Sequence, residues 1–305
     1  AVYCPEERAV FTGDTVFIFS IGRPDLGGMA RQWSQMLFNT LTRILLPLHG
    51  DTVILPGHYM TWEEAGKAVD ASNQTILLPF GSTEQHGPHL PVGTDTMVAV
   101  TLAEEAAQKA GVPVAPPLWF GWSPHHMILP GTITVRPEIL AEIAFDMIES
   151  LSRHGFENFV LINGHRIVNI TWLQIAGEKA KRKLGVNVVI FDPAYMSKSI
   201  VRKLGWGAVG HAEEIETSHM MARYPDRVHL ERAVDNPHPE PELYSVDPLF
   251  EGDTLCYVPS SEAQMKAVSG HCGGTTGEPS KASAEGGKTY HDHLVNRLVE
   301  VISNF

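Results

Sequence analysis

Three apolar runs constrain the fold more than any other feature of this chain. Thr75–Phe80, Phe159–Ile162 and Val186–Phe191 carry no charged residue and show no alternation of apolar with polar positions. A strand with one wet face alternates, whereas a continuous apolar run reads as a parallel strand covered by helices on both faces. Helical spacing of apolar residues between these runs predicts helices over Trp62–Val69, Met97–Ala110, Pro137–His154, Asn169–Lys183, Ala212–Arg223 and Ser283–Ser303. A further strand is expected at Val112–Ala115, and the Pro-rich stretch Pro237–Pro259 reads as a long surface excursion. The expected fold class is α/β, a layered α/β/α arrangement around a mainly parallel sheet.

Residues 1–59 read differently, as a small N-terminal α+β appendage. They suggest a strand at Ala9–Phe11, an apolar run Thr15–Ile21, a helix over Met29–Leu46 stopped by Pro47, and a short strand Thr52–Leu55. The expected organisation is thus 1–59 as an appendage and 60–305 as the main domain.

Composition narrows the function classes. With 43% apolar and 19% charged residues in 305, the chain is excluded from disordered, collagenous and coiled-coil classes. Its 35 acidic and 23 basic residues give a net charge of −12, which would repel a phosphate backbone or an anionic bilayer, so neither nucleic acid nor membrane is expected as a partner. No apolar run reaches the ~18 residues of a transmembrane helix, and AVYCPEERAV has no basic segment leading into an apolar one, so no signal peptide is expected there. Three widely spaced cysteines (Cys4, Cys256, Cys272) fit a reducing cytoplasm better than a disulfide scaffold.

The fifteen histidines fall into informative groups. Gly81-Ser-Thr-Glu84-Gln-His86 follows a buried strand, at the carboxyl end where open α/β sheets place their sites. Glu84 and His86 leave one face of an extended segment, and Asp95 returns before the next helix. A hard carboxylate, an imidazole and a second carboxylate able to bridge are what a two-metal hydrolytic site needs. The competing reading is a polar loop whose acids cap a helix. Asn163-Gly164-His165 ends another apolar strand, where a polar residue is costly unless bonded or metal-bound. In Gly210-His211-Ala-Glu213-Glu214-Ile-Glu216-Thr-Ser218-His219, Glu213 and Glu214 fit first-turn acids favoured by the helix dipole, and His219 fits a packed or solvated residue. In Gly121-Trp-Ser123-Pro-His125-His126, at most one of the adjacent histidines is expected to face the site. Ser123 and His126 are hydrogen-bonding candidates for a polar substrate, against a rival reading as a proline-stiffened loop. Trp206 is a further substrate-binding candidate.

Glu84-x-His86-Gly-x-His89-Leu-Pro followed by Asp95, then Pro130-Gly-Thr, Asn163-Gly-His165 and Glu216-Thr-Ser, resembles the creatininase family of metal hydrolases over about Thr61 to the last residue. The resemblance implies a layered α/β fold, two divalent metal ions of the Zn, Mn or Fe type, a small-molecule substrate and a ring-like homo-oligomer, expected as a hexamer. It implies that Glu84 and His86 ligate different ions, that Asp95 bridges, that His165 completes one ion, and that His211 lies beside the substrate as the catalytic histidine. Creatininase carries a Glu two residues after the Asn-Gly-His histidine. Here that position is Ile167, which makes Glu216 the replacement ligand and means that the substrate need not be creatinine. Arg166 is expected to pair with an anionic substrate group or with a nearby carboxylate. Residues 1–59, through Val10-Phe-Thr-Gly-Asp14-Thr and Leu55-Pro-Gly-His58, resemble the C-terminal part of a metallo-β-lactamase-fold protein that lacks its main ligand cluster, hence a non-catalytic segment.

The expected function is a two-metal amidohydrolase that opens a small polar cyclic amide or related C–N bond. The alternatives are a hydrolase of a cyclic ketone or formamide on the same site, and a non-catalytic metal-binding scaffold.

Overall fold

The structure is a computed structural model that describes residues 62–237, 252–256 and 258–305, together with the backbone of five short strands within residues 1–61. The chain divides into two units, Ala1–Lys67 and Ala68–Phe305. In the first, β1 (Val2–Cys4) pairs antiparallel with β2 (Ala9–Gly13), and β2 pairs parallel with β5 (Val53–Pro56). Within the apolar run Thr15–Ile21, two described short strands, β3 (Val16–Phe17) and β4 (Ser20–Ile21), pair antiparallel. The expected helix Met29–Leu46, Asp14 and His58 lie outside the described residues.

The second unit is built on three parallel strands in the order β6 (Thr75–Phe80), β7 (Asn158–Asn163) and β8 (Asn187–Phe191). Residues 113–118 run beside the free edge of β6, with the Leu77 amide donating to Pro113 and the Leu118 amide to Pro79. The strand expected at Val112–Ala115 is reduced there to isolated bridges at Val114 and Leu118. Pro113, Pro116 and Pro117 have no N–H to give a ladder, which accounts for the interruption.

Because successive side chains of a strand leave opposite faces, continuous apolar strands feed two cores. Leu77, Val160 and Ile162 pack on one face against α2 (Thr94–Ala110), α7 (Glu214–Arg223) and α9 (Ala284–Ile302). Ile76, Leu78, Phe80, Phe159, Leu161 and Val188 pack on the other against α3 (Pro137–Arg153) and α4 (Ile170–Leu184). Each fully buried Leu, Ile or Phe contributes about 1.5–3 kcal/mol relative to exposure. Trp172 anchors the second core: its ring meets Phe80 edge-on at 5.7 Å, and its indole N–H donates to Asn169. Asn169 also donates to the Gly81 carbonyl, so the start of α4 is tied to the end of β6. α1 (Trp62–Ala71) leads into this unit.

Two departures from the sequence reading matter for function. α2 begins at Thr94 rather than Met97, so Asp95 sits in its first turn, where the helix dipole favours a carboxylate. α7 begins at Glu214 rather than Ala212, which leaves His211, Ala212 and Glu213 outside the helix. The short helices α5 (Pro193–Met196), α6 (Lys198–Leu204) and α8 (Glu262–Ser269) were not expected. Most of Pro237–Pro259 lies outside the described residues.

Candidate metal centre

The carboxyl ends of β6 and β7 and the first turn of α2 meet at one point. The Gly164 amide donates to the Phe80 carbonyl, and the Gly164 backbone lies so close to Asp95 that a Cβ at 164 would stand 1.9 Å from the Asp95 carbonyl oxygen. Any larger residue would push the two segments apart. That approach places His165 beside Asp95 on one side of the site and His86 on the other.

Glu84, His86, Asp95, His165, His211 and Glu216 are all buried. His86 Nε2 lies 3.1 Å from Asp95 Oδ1 and 3.6 Å from Glu216 Oε2. His165 lies 3.3 Å from Glu84 Oε2 through Nε2 and 3.2 Å from Asp95 Oδ2 through Nδ1. The donor atoms fall into overlapping groups: Glu84, Asp95 and His165; His86, Asp95 and Glu216; and Glu84, His86 and His211. Asp95 belongs to the first two groups, with one oxygen toward each histidine.

These spacings suit divalent cations. Two donors each ~2.0–2.1 Å from a tetrahedral ion stand about 3.3 Å apart, as these do. Glu84 Oε1 and Asp95 Oδ2 are buried without a hydrogen bond, although imidazole nitrogens lie within 3.5 Å of each. Facing nitrogen and oxygen lone pairs without a well-directed proton between them call for a shared cation.

The protonation equilibria show the same demand for positive charge. Burial, reinforced by Asp95, pushes the Glu84 carboxyl up to about 7 against the pull of His165. Burial disfavours a charged His86, but Asp95 and Glu216 more than offset it and raise the group to about 10. His165 is likewise disfavoured by burial and raised by Glu84 and Asp95 to about 9. Protons on the two histidines supply the charge that metal ions would otherwise bring.

His211 stands beside this cluster. Its Nε2–H donates to the Gln85 carbonyl, which leaves Nδ1 as the acceptor, 3.5 Å from Glu84 Oε1. Its ring stacks on His126 at 3.9 Å and tilts against His86 at 4.4 Å. His126 reaches Glu84 Oε1 through Nε2 at 3.5 Å, and its Nδ1 meets Gln85 Nε2. His125 was not expected to share this side, yet it is buried with its ring against His126 and parallel to His165. The 3-10 turn over Pro124–His126 keeps both rings inward, where an extended loop would have parted them. Ser123 is fully buried, bonded to Ser82 and 3.3 Å from His165 Nε2.

Trp206 takes a different place from that expected, and Arg166 takes the second of the two expected for it. Trp206 packs on α9, its ring 5.7 Å from Tyr290 and close to Gly286, so its described contacts are with helix packing and not with the cluster. Arg166 is buried and pairs with carboxylates, Nη2 lying 2.7 Å from both Glu213 Oε1 and Glu216 Oε1. Glu213, read as a first-turn acid, instead precedes the helix and is completely buried as the partner of that arginine. Removing one member of such a pair typically costs about 3–5 kcal/mol, because the other is left charged in the interior. Glu214 is buried too and accepts from the Gly207 and Glu278 amides, pinning two loops.

The sequence reading missed three supports. Gln85 bonds His126 and the Gly274 carbonyl through its side chain and His211 through its carbonyl. Asp192 accepts from Asn163, the Ile167 amide and the Ala194 amide, bracing the loop that carries His165. It holds Ile167 at φ +67, a region that a β-branched residue enters at a cost of about 1–3 kcal/mol. The Asp192-Pro193 pair is an N-cap signature that was legible. Third, Thr276 exchanges backbone bonds with His211, closing the site with the 269–278 segment.

A family profile described as creatininase, creatinine amidohydrolase, matches residues 58–302. The chain is 30% identical to the 3-dehydro-scyllo-inosose hydrolase of Thermotoga maritima, covering 74% of this chain and 76% of that one. It is 32% identical to the creatinine amidohydrolase of Pseudomonas putida, over 62% of this chain and 80% of that one, and 28% identical to a mycofactocin precursor peptide peptidase of Mycolicibacterium smegmatis, over 75% and 85%. Among solved structures, a creatininase mutant of Zn–Zn type superposes with TM-score 0.68 at 28% identity, covering 80% of this chain and 95% of that one. A creatininase in its Mn form gives 0.64 at 27%, covering 80% and 96%. With the α/β/α layers, the buried carboxylate–histidine cluster and the match over residues 58–302 in agreement, the chain belongs to the creatininase family of metal-dependent hydrolases.

Proposed function

We propose that the chain is a two-metal amidohydrolase that opens a small polar cyclic amide or a related C–N bond. The observation that carries this reading is Asp95 between His86 and His165, one carboxylate oxygen toward each. In this reading Glu84, Asp95 and His165 hold one ion and His86, Asp95 and Glu216 the other. Ions bound there supply Lewis acidity, polarising a carbonyl and making water nucleophilic at neutral pH. The protein's own part is to orient and to move protons. His211, fixed through Nε2–H on Gln85 and lowered below the usual histidine range by burial and then by His86, presents a free Nδ1 that can take a proton from water and pass it to the leaving nitrogen. His126, fixed through Nδ1 on Gln85, turns Nε2 toward the site for a polar substrate group. Ser123, with its hydroxyl engaged by Ser82 and His165, positions His165 rather than meeting substrate.

A second reading, hydrolysis of a cyclic ketone on the same site, draws support from the inosose hydrolase relative. A screen of Zn- and Mn-loaded protein against lactams and cyclic ureides, formamides, cyclic ketones and short peptides, read by mass spectrometry as uptake of one water, separates the two. Turnover of ketones with none of lactams or ureides would replace the first reading with the second.

The remaining features follow from the same reading. We place the protein in the cytoplasm, which its free Cys256 and Cys272 support. Among the described residues no helix is long and apolar enough to cross a membrane. We assign a homo-oligomer, taken as a hexamer, which the exposed side chains of Trp119, Phe120 and Ile133 support. Residues 1–59 are assigned as a non-catalytic appendage resembling part of a metallo-β-lactamase fold. The start of the family match at residue 58 supports that boundary.

A further inference from the structure

Arg166, Ile167 and Val168, the three residues after His165, include no metal ligand. A second subsite beside His86 and Asp95 must therefore draw its next donor from another element. The donor that arrives is Glu216, in the first turn of α7, and Arg166 meets it there. We propose that Arg166 is a positioning residue that delivers Glu216 to the second metal subsite, an inference that rests on the two-metal reading.

The geometry divides the two oxygens of Glu216 between separate tasks. Oε1 is taken by Arg166 Nη2 at 2.7 Å. Oε2 accepts the Ala212 amide at 2.7 Å and faces His86 Nε2 at 3.6 Å. Arg166 also binds Glu213 at 2.7 Å, so one guanidinium ties the residue before α7 and the ligand within it to the loop that carries His165. A guanidinium stays charged when buried and its planar end fixes where Nη2 lies, so one donor atom bridges Glu213 and Glu216 where a lysine would offer only a mobile point charge.

The space around Arg166 favours a role toward its neighbours over the substrate-binding alternative. Its side chain lines a cavity of about 10 Å³ with Asp95, Glu216, His219 and Tyr290. That is room for about one water and too little for a substrate carboxylate. Arg166 thus acts on its neighbours, fixing the orientation of a ligand.

The test is a calorimetric titration of metal-free protein with Zn²⁺. Wild type should bind two ions in distinguishable steps. Glu216→Gln should weaken one step by about 10–100-fold, the usual effect of a displaced or unsupported ligand, and leave the other unchanged. The charge-balanced double variant Arg166→Met with Glu213→Gln should weaken the same step, with Arg166→Lys between it and wild type. Thermal melts of the metal-free proteins report whether each variant folds, and Arg166→Lys carries the test if the double variant does not. Arg166 variants that keep both steps at wild-type affinity, or lose both equally, would overturn the proposal. Wild-type steps surviving Glu216→Gln would remove Glu216 as the ligand. Wild type binding fewer than two ions would instead defeat the two-metal reading, and the proposal with it.

Discussion

Gly164 and Asp95 are pressed together so closely that a methyl group at residue 164 would stand 1.9 Å from the Asp95 carbonyl oxygen. This contact between the end of β7 and the first turn of α2 sets the separation of His165 and Asp95. Gly164→Ala is expected to cost about 1–3 kcal/mol through overpacking and to weaken metal binding at the same time. Calorimetric melts and a Zn²⁺ titration measure the two effects. A folded variant with wild-type affinity would show that the approach does not control the site.

His211 is expected to matter for turnover and not for metal loading. His211→Ala should retain the bound ions and lose on the order of 10²-fold or more in turnover on whatever substrate the screen finds, the usual contribution of a general acid. Elemental analysis beside steady-state rates separates the outcomes. Loss of an ion would make His211 a ligand within its group with Glu84 and His86, and unchanged turnover would leave it a structural role.

A histidine relay outside the ligand groups predicts acid sensitivity. His219 Nε2 donates to His291 Nδ1 at 2.8 Å, and His291 Nε2 donates to Glu105 at 2.9 Å, so both rings are satisfied while neutral. Burial, then His291, holds His219 well below the usual histidine range, and burial, then Arg223, lowers His291. Burial, then His86, lowers His89 to about 4. Below pH ~6.5 the unfolded chain protonates these rings and the folded chain does not, so the unfolded state binds more protons and stability falls as pH falls. Each such proton contributes up to about 1.4 kcal/mol per pH unit. Glu84, raised to about 7, acts with the opposite sign over the same window. Denaturant melts between pH 7 and 5 are therefore compared for wild type and His291→Gln, and the variant should lose less stability as pH falls. Parallel curves for the variant and wild type would contradict the assignment.

How much of this was legible in the sequence follows from the range of each signal. The β6 run Thr75–Phe80 was readable residue for residue because burial on both faces leaves no polar position to blur it. α2 was placed three residues late because Thr94, Asp95 and Thr96 carry no apolar periodicity, although Asp in a first turn was a usable sign. Glu84, His86, Asp95 and His165 could be grouped because strand ends converge in a parallel sheet, and the structure brings them together. Arg166 and Glu213 are 47 positions apart, and nothing local in Gly210–His219 distinguishes a buried Glu213 from a solvated one. Gln85 escaped notice for a similar reason, since its role depends on three partners drawn from separate loops.

The most direct test of the account is the metal content of wild type and Asp95→Asn, each purified, loaded with Zn²⁺ and desalted. Asp95 turns its two oxygens toward His86 and His165, and it is shared by the two ligand groups that the proposed function assigns to the two ions. The account predicts two equivalents of zinc per chain in wild type and no more than one in the variant, with hydrolysis abolished. Wild type holding well below one equivalent, or Asp95→Asn retaining two at unchanged affinity, would contradict it.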